Sequence, residues 1–197
     1  ILDIIDNPRG GLLSFVFLLT IFLMSNGINA IFSSFEYSYH ITINRSFFKQ
    51  YFVASLVSIF LALLLLLTIV IIVFSEQFIW DLSKEEFLSN GVFWVETIRS
   101  IIFIILVYFV IAILYYFGIK KGKSIRFFSI GALVTTMLFV LTTYLFGVYI
   151  TNFSNYNELY GSIGALLILM LYIWINSNLL LLGFELNATI KTLRLKE

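Results

Sequence analysis

The chain has 197 residues, of which 61% are hydrophobic and 12% charged, whereas a soluble globular domain carries roughly 25% charged residues. No water-soluble fold of this length hides so much apolar surface, so the solvent has to be lipid. Twelve Lys/Arg against eleven Asp/Glu leave a net charge of +1, which offers no basic surplus for nucleic acid. Cysteine is absent and His40 is the only histidine. Disulfides, thiolate chemistry and Cys- or His-based metal centres are thereby excluded, and no cofactor or metal is expected.

The chain begins at Ile1 without an initiator Met, a basic n-region or a cleavage pattern. The expectation is that it continues a longer protein. Five apolar stretches then follow, each long enough to cross roughly 30 Å of hydrocarbon. They run from about Gly11 to Ile31, Tyr51 to Phe74, Ile98 to Phe117, Phe127 to Ile150 and Tyr160 to Phe184. They are continuous and show no period of two, which favours helices over barrel strands. The expected fold is all-α, a polytopic transmembrane helix bundle forming a single domain over residues 1–197. Between the second and third stretches, Trp80, Phe87 and Trp94 recur every seven residues among Asp81, Lys84, Glu85 and Glu86. Residues 77–97 suit either an interfacial helix or a folded loop capping the bundle.

Loop charge sets the orientation. Arg45, Lys49, Lys120, Lys121, Lys123, Arg126, Lys191, Arg194 and Lys196 fall on one side, against Arg9, Lys84 and Arg99 on the other. The positive-inside rule places the richer side, and with it the C-terminus, in the cytoplasm. Five spans of this polarity imply one further span before Ile1.

No span carries an ionisable residue in its central part, so a pump built on a midplane carboxylate is not expected. What the spans carry is neutral polarity on defined faces. In the fifth, Gly161, Ala165, Ile168, Tyr172, Asn176, Leu179, Gly183 and Asn187 recur at three- or four-residue spacing and form one stripe. Asn178 and Glu185 lie on a neighbouring stripe, with Gly164 above them. The fourth shows Gly131, Thr135, Leu138, Thr142, Leu145 and Tyr149 in the same manner, and the first shows Asn26, Asn29 and Ser33, continuing to Glu36. For Gly161, Gly164, Gly183, Thr135 and Thr142 the expectation is helix packing, since small residues let backbones approach in lipid. For Asn26, Asn29, Asn176, Asn178, Glu185 and Asn187 two readings stand: interhelical contacts, or the lining of a polar seam open to water or lipid. Asn176 and Asn178 lie about 200° apart on a helix at about 100° per residue, so one face cannot serve both.

The string Tyr160-Gly161-Ser162-Ile163-Gly164 and the later Leu182-Gly183-Phe184-Glu185-Leu186-Asn187-Ala188 resemble the closing signature of the YihY/BrkB family of bacterial inner-membrane proteins. Asn152-Phe153, Tyr156-Asn157, Ser25-Asn26-Gly27-Ile28-Asn29-Ala30-Ile31 and Arg45-Ser46-Phe47-Phe48-Lys49-Gln50 also resemble it, in order along nearly the whole chain. The resemblance implies six spans, of which these would be the second to sixth. Two positions depart from the family pattern. Ile130-Gly131-Ala132 stands where a Pro-Gly-Ala triplet is usual, and Glu36 where Asn is common. The family has often carried a ribonuclease label, but metal-dependent RNA hydrolysis needs clustered His, Asp or Glu ligands, which one histidine and dispersed acids do not supply. The resemblance implies instead an envelope role, with membrane lipids and envelope proteins as partners and no nucleic acid. The reading is a non-enzymatic inner-membrane protein that handles a lipid or another amphiphile. The alternative is a structural or accessory subunit of a larger membrane assembly.

Overall fold

A computed structural model of the chain describes residues 10–38, 46–84, 91–118, 127–152 and 162–194. They form five helices: α1 (Gly10–Ser38), α2 (Phe47–Lys84), α3 (Gly91–Gly118), α4 (Ile130–Asn152) and α5 (Ser162–Arg194), with no strand among the described residues. Each contains a stretch long and apolar enough to cross a membrane. Backbone groups in hydrocarbon have no water to bond, and a helix satisfies them internally. Even the shortest element, α4 with 23 residues, rises about 34 Å. The helices run past the apolar stretches because nothing in the flanking sequence breaks them. Residues 77–84, expected in an interfacial segment or capping loop, continue α2, and residues 91–97 open α3; residues 85–90 lie outside the described residues.

α1 and α2 run in opposite senses. Ser25 Oγ lies 3.1 Å from Ser58 Oγ, and Gln50 Nε2 donates to Ser33 Oγ at 3.1 Å. α4 and α5 form a second antiparallel pair, and α3 packs on both α2 and α4. Where the pairs meet, Phe35 of α1 stacks on Phe184 of α5 with ring centroids 4.2 Å apart and planes 6° off parallel. Tyr115 of α3 meets both rings edge-on, at 5.6 and 5.9 Å. Lipid tails are as apolar as these side chains, so close van der Waals contact, rather than escape from water, holds such a cluster together.

Burial is confined to one stretch of each helix. The fully buried positions run from Ser25 to Phe35 in α1, Gln50 to Leu61 in α2, Ile111 to Gly118 in α3 and Gly131 to Thr136 in α4. In α5 they run from Asn176 to Ala188, with Gly164 apart. Beyond these stretches the helices are covered thinly. Residues 14–20 of α1 are exposed all round, and residues 165–171 of α5 are exposed except for half-buried Ile168. A seven-residue helical stretch exposed all round has no face against a neighbour. The five helices are therefore gathered at one end, and α1 has no neighbour at the other, while α4 and α5 stay in contact through Phe146 and Tyr172.

A polar knot and an unpartnered amide between the last two helices

The contact between α4 and α5 starts at the first turn of α4, where backbone N–H groups have no intrahelical partner. Ser129 is the N-cap: its carbonyl accepts the N–H of Leu133 at 3.2 Å, and its Oγ accepts that of Ala132 at 3.3 Å. Hydroxyl-bearing residues suit this position because their oxygen reaches the third helical N–H. The N–H of Gly131 is satisfied from the other helix, donating to Asn187 Oδ1 at 2.7 Å, while Asn187 Nδ2 donates to Ser129 Oγ at 2.9 Å. Asn187, one of the expected seam residues, is thus buried as a cap that α5 supplies to α4.

One turn further in, the backbones come so close that glycine is required. A Cβ on Gly183 would overlap Thr135 Oγ1, and one on Gly131 would overlap the Gly183 carbonyl oxygen. Thr135 Oγ1 donates to the Gly131 carbonyl at 2.7 Å and lies 2.8 Å from the Tyr115 hydroxyl, which donates to the Leu180 carbonyl at 2.7 Å. Two hydroxyl protons serve three contacts here, so one of them is shared between the other hydroxyl and a backbone carbonyl. α3, α4 and α5 are tied at this point by side chains that are all buried, Tyr115 being 1% exposed.

Above the knot the same two helices stay in contact. Thr143 Oγ1 lies 2.8 Å from the Tyr172 hydroxyl, and the Phe146 and Tyr172 rings are 4.9 Å apart. The stripes expected on the fourth and fifth spans meet around the knot; further up, Thr143 and Phe146 make the contact instead, and the stripe residues Leu145 and Ala165 are exposed. Gly131, Thr135, Gly183 and Asn187 join directly, Thr142 is half-buried, and Gly164 is buried. Gly161 lies outside the described residues.

Asn176 is 7% exposed. Its Nδ2 donates back to the Tyr172 carbonyl at 2.9 Å, and its Oδ1 is buried with no hydrogen-bond donor. Asn178 is exposed, with Nδ2 on the Trp174 carbonyl at 2.7 Å, and Glu185 is exposed as well. The two amides thus take different sides of α5, as their angular separation requires. On α1, Asn26 is exposed and Asn29 is half-buried, its Oδ1 enclosed without a donor like that of Asn176. Asn29 lies one turn from both Ser25 and Ser33, the residues that bond α2.

Five contributors escaped the sequence reading, namely Tyr115, Ser129, Ser58, Thr143 and Phe146, and Gln50 was named there only for a family resemblance. Ser129 carried a legible signal, a hydroxyl residue immediately before an apolar run. Tyr115 carried none, being one aromatic among many. His40 lies outside the described residues, and among the described residues no three His, Asp or Glu side chains come together.

The order of these elements along the chain is not peculiar to it. The family model for Virulence factor BrkB matches residues 1–197. The chain belongs to that family. The putative ribonuclease-like protein YfkH of Bacillus subtilis is 31% identical over 189 residues, covering 93% of this chain and 67% of its own length. The UPF0761 membrane protein IL2447 of Idiomarina loihiensis is 26% identical over 129 residues, 62% of this chain and 43% of its own length. A UPF0761 membrane protein of Histophilus somni is 34% identical over 89 residues, 45% of this chain and 31% of its own length. The chain spans two thirds of the Bacillus relative and less than half of the other two. No solved structure matches it. The BrkB-family chain is thus a multi-pass membrane protein of a bacterial family, and its departure at Ile130 has a local explanation. Ile130 is the first residue of α4, the position at which a helix tolerates proline because the missing N–H has no partner there. Replacing proline by isoleucine at that position changes no hydrogen bond.

Proposed function

We propose that this protein handles a membrane lipid or another amphiphile without catalysing a reaction on it. One observation carries the reading: the helices are gathered and buried at one end, while α1 residues 14–20 are exposed all round at the other. An apolar helix without a neighbour leaves room beside it for acyl chains, and the buried end closes the space with Phe35, Phe184 and Tyr115. The exposed stretch of α1 carries Phe15, Val16, Phe17, Leu18 and Leu19, which suits hydrocarbon. The bacterial inner membrane, with the C-terminus cytoplasmic, is the location that fits the family and the loop charges. Native mass spectrometry on detergent-solubilised protein tests the proposal. Lipid adducts should persist through repeated detergent exchange, and a protein stripped of all lipid at the first exchange would sink it.

A second reading has its own support. Ser177, Asn178 and Glu185 are exposed on α5, and polar groups on the outside of a span are favoured where another helix covers them. This describes an accessory subunit packed against a membrane partner. Cysteine at position 178 would then cross-link in membranes to a second protein at high yield, and the lipid adducts would be absent.

A further inference from the structure

Going back along α5 from the polar knot, Asn176 is the last fully buried residue before Gly164. Gly131 against Asn187 and Phe146 against Tyr172 fix the register of α4 on α5. Eleven residues on from Gly131 and eleven back from Asn187, three turns on each helix, lead to Thr142 and Asn176, which therefore lie at the same level of the pair. Asn176 Oδ1 is buried there without a donor. Leaving a buried acceptor unmatched is unfavourable, and in a helix pair this closely fitted a leucine would remove the penalty. Next to it are Thr142, half-buried, and the exposed pair formed by the Thr143 and Tyr172 hydroxyls. One acceptor and three hydroxyls thus stand within two turns, beside the exposed side chains of Leu141, Leu145, Leu169 and Met170.

No charge accompanies them. α4 has no charged residue, and α5 has no cation before Lys191, fifteen residues beyond Asn176. Phosphate recognition depends on Arg or Lys, so a phosphate has nothing to bind here. Neutral hydroxyls do. We propose that Asn176, Thr142, Thr143 and Tyr172 form the headgroup site for an uncharged, hydroxyl-bearing lipid, whose hydroxyl donates to Asn176 Oδ1 while its chains lie along the exposed apolar side chains of the two helices. The inference rests on the amphiphile-handling reading and names its ligand class. A free diacylglycerol and a glycosylated one share this chemistry, and only the second has enough hydroxyls to engage the threonines and Tyr172 as well.

The test is competitive lipid binding by native mass spectrometry, offering dioleoylglycerol, monoglucosyl dioleoylglycerol and dioleoyl phosphatidic acid to the full chain. The two hydroxyl lipids should be retained over phosphatidic acid. A glucosyl lipid held better than dioleoylglycerol identifies the sugar as the source of the hydroxyls, and equal retention identifies the glycerol; either supports the site. Asn176→Leu should weaken the hydroxyl lipids about three- to tenfold, the worth of one hydrogen bond, and leave phosphatidic acid unchanged. Thr143→Val, at an exposed position, keeps the question open to experiment should Asn176→Leu fail to fold, and it should weaken the glucosyl lipid alone. Phosphatidic acid bound as well as the others, or a preference untouched by both variants, overturns this inference and leaves lipid handling standing. Loss of every lipid at the first exchange overturns both.

Discussion

Asn187 of α5 completes the first turn of α4: its Oδ1 accepts the Gly131 N–H at 2.7 Å and its Nδ2 donates to Ser129 Oγ at 2.9 Å. A cap supplied from a neighbouring helix joins helix formation to helix docking, because α4 cannot satisfy its own second N–H.

Removing that cap should be felt in stability. Asn187→Ala is expected to cost about 1–2 kcal/mol, read as a lower unfolding temperature in detergent. Asn187→Asp keeps the acceptor but buries a carboxyl group, so it should recover part of the loss only at low pH, where the acid is neutral. An alanine variant as stable as the parent would show that the cap contributes nothing.

The close approach at Gly183 makes a coupled prediction. Gly183→Ala sets a methyl group against Thr135 Oγ1 and should destabilise by about 1–3 kcal/mol, the usual range for overpacking. Thr135→Ala makes space, so the double variant should be more stable than the sum of the single losses predicts. Strict additivity would mean that the two residues do not meet.

Tyr115→Phe keeps the ring against Phe35 and Phe184 but deletes the donor to the Leu180 carbonyl. A loss of about 0.6–1.5 kcal/mol is expected, since interhelical hydrogen bonds in membranes are modest. Adding Thr135→Val should then cost less than it does alone. A phenylalanine variant indistinguishable from the parent would reduce the polar knot to shape alone.

Orientation can be read with single cysteines at Ser124 and Ser154. Nine basic residues on one side against three on the other predict that position 154 labels with an impermeant thiol reagent from outside the cell and position 124 does not. Labelling of both from outside would overturn this orientation.

Purified protein is expected to leave RNA intact with or without Zn²⁺ or Mg²⁺, since hydrolysis through a metal needs clustered ligands. Metal-dependent cleavage above a mock preparation, abolished by His40→Ala, would contradict that expectation and the non-catalytic reading with it.

Composition and continuous apolar runs were enough to read five membrane helices, because in lipid the backbone has no alternative to bonding within its own segment. Three- and four-residue spacing also revealed where α4 and α5 approach most closely, at Gly131, Thr135 and Gly183, since small residues are the ones that allow close approach, but not the upper contact through Thr143 and Phe146. The partners of those faces were not legible. Asn176 and Asn178 stand two positions apart in one polar stretch, and only docking turns the first into the seam and leaves the second outside. Asn187 and Asn178 are chemically the same side chain; one caps α4 because Gly131 happens to lie opposite it, and the other bonds its own helix. Tyr115 became the tie between three helices through contacts 20 and 65 residues away along the chain. Periodicity shows which residues share a face, whereas distances between helices depend on how whole faces fit, and only the tertiary structure decides that.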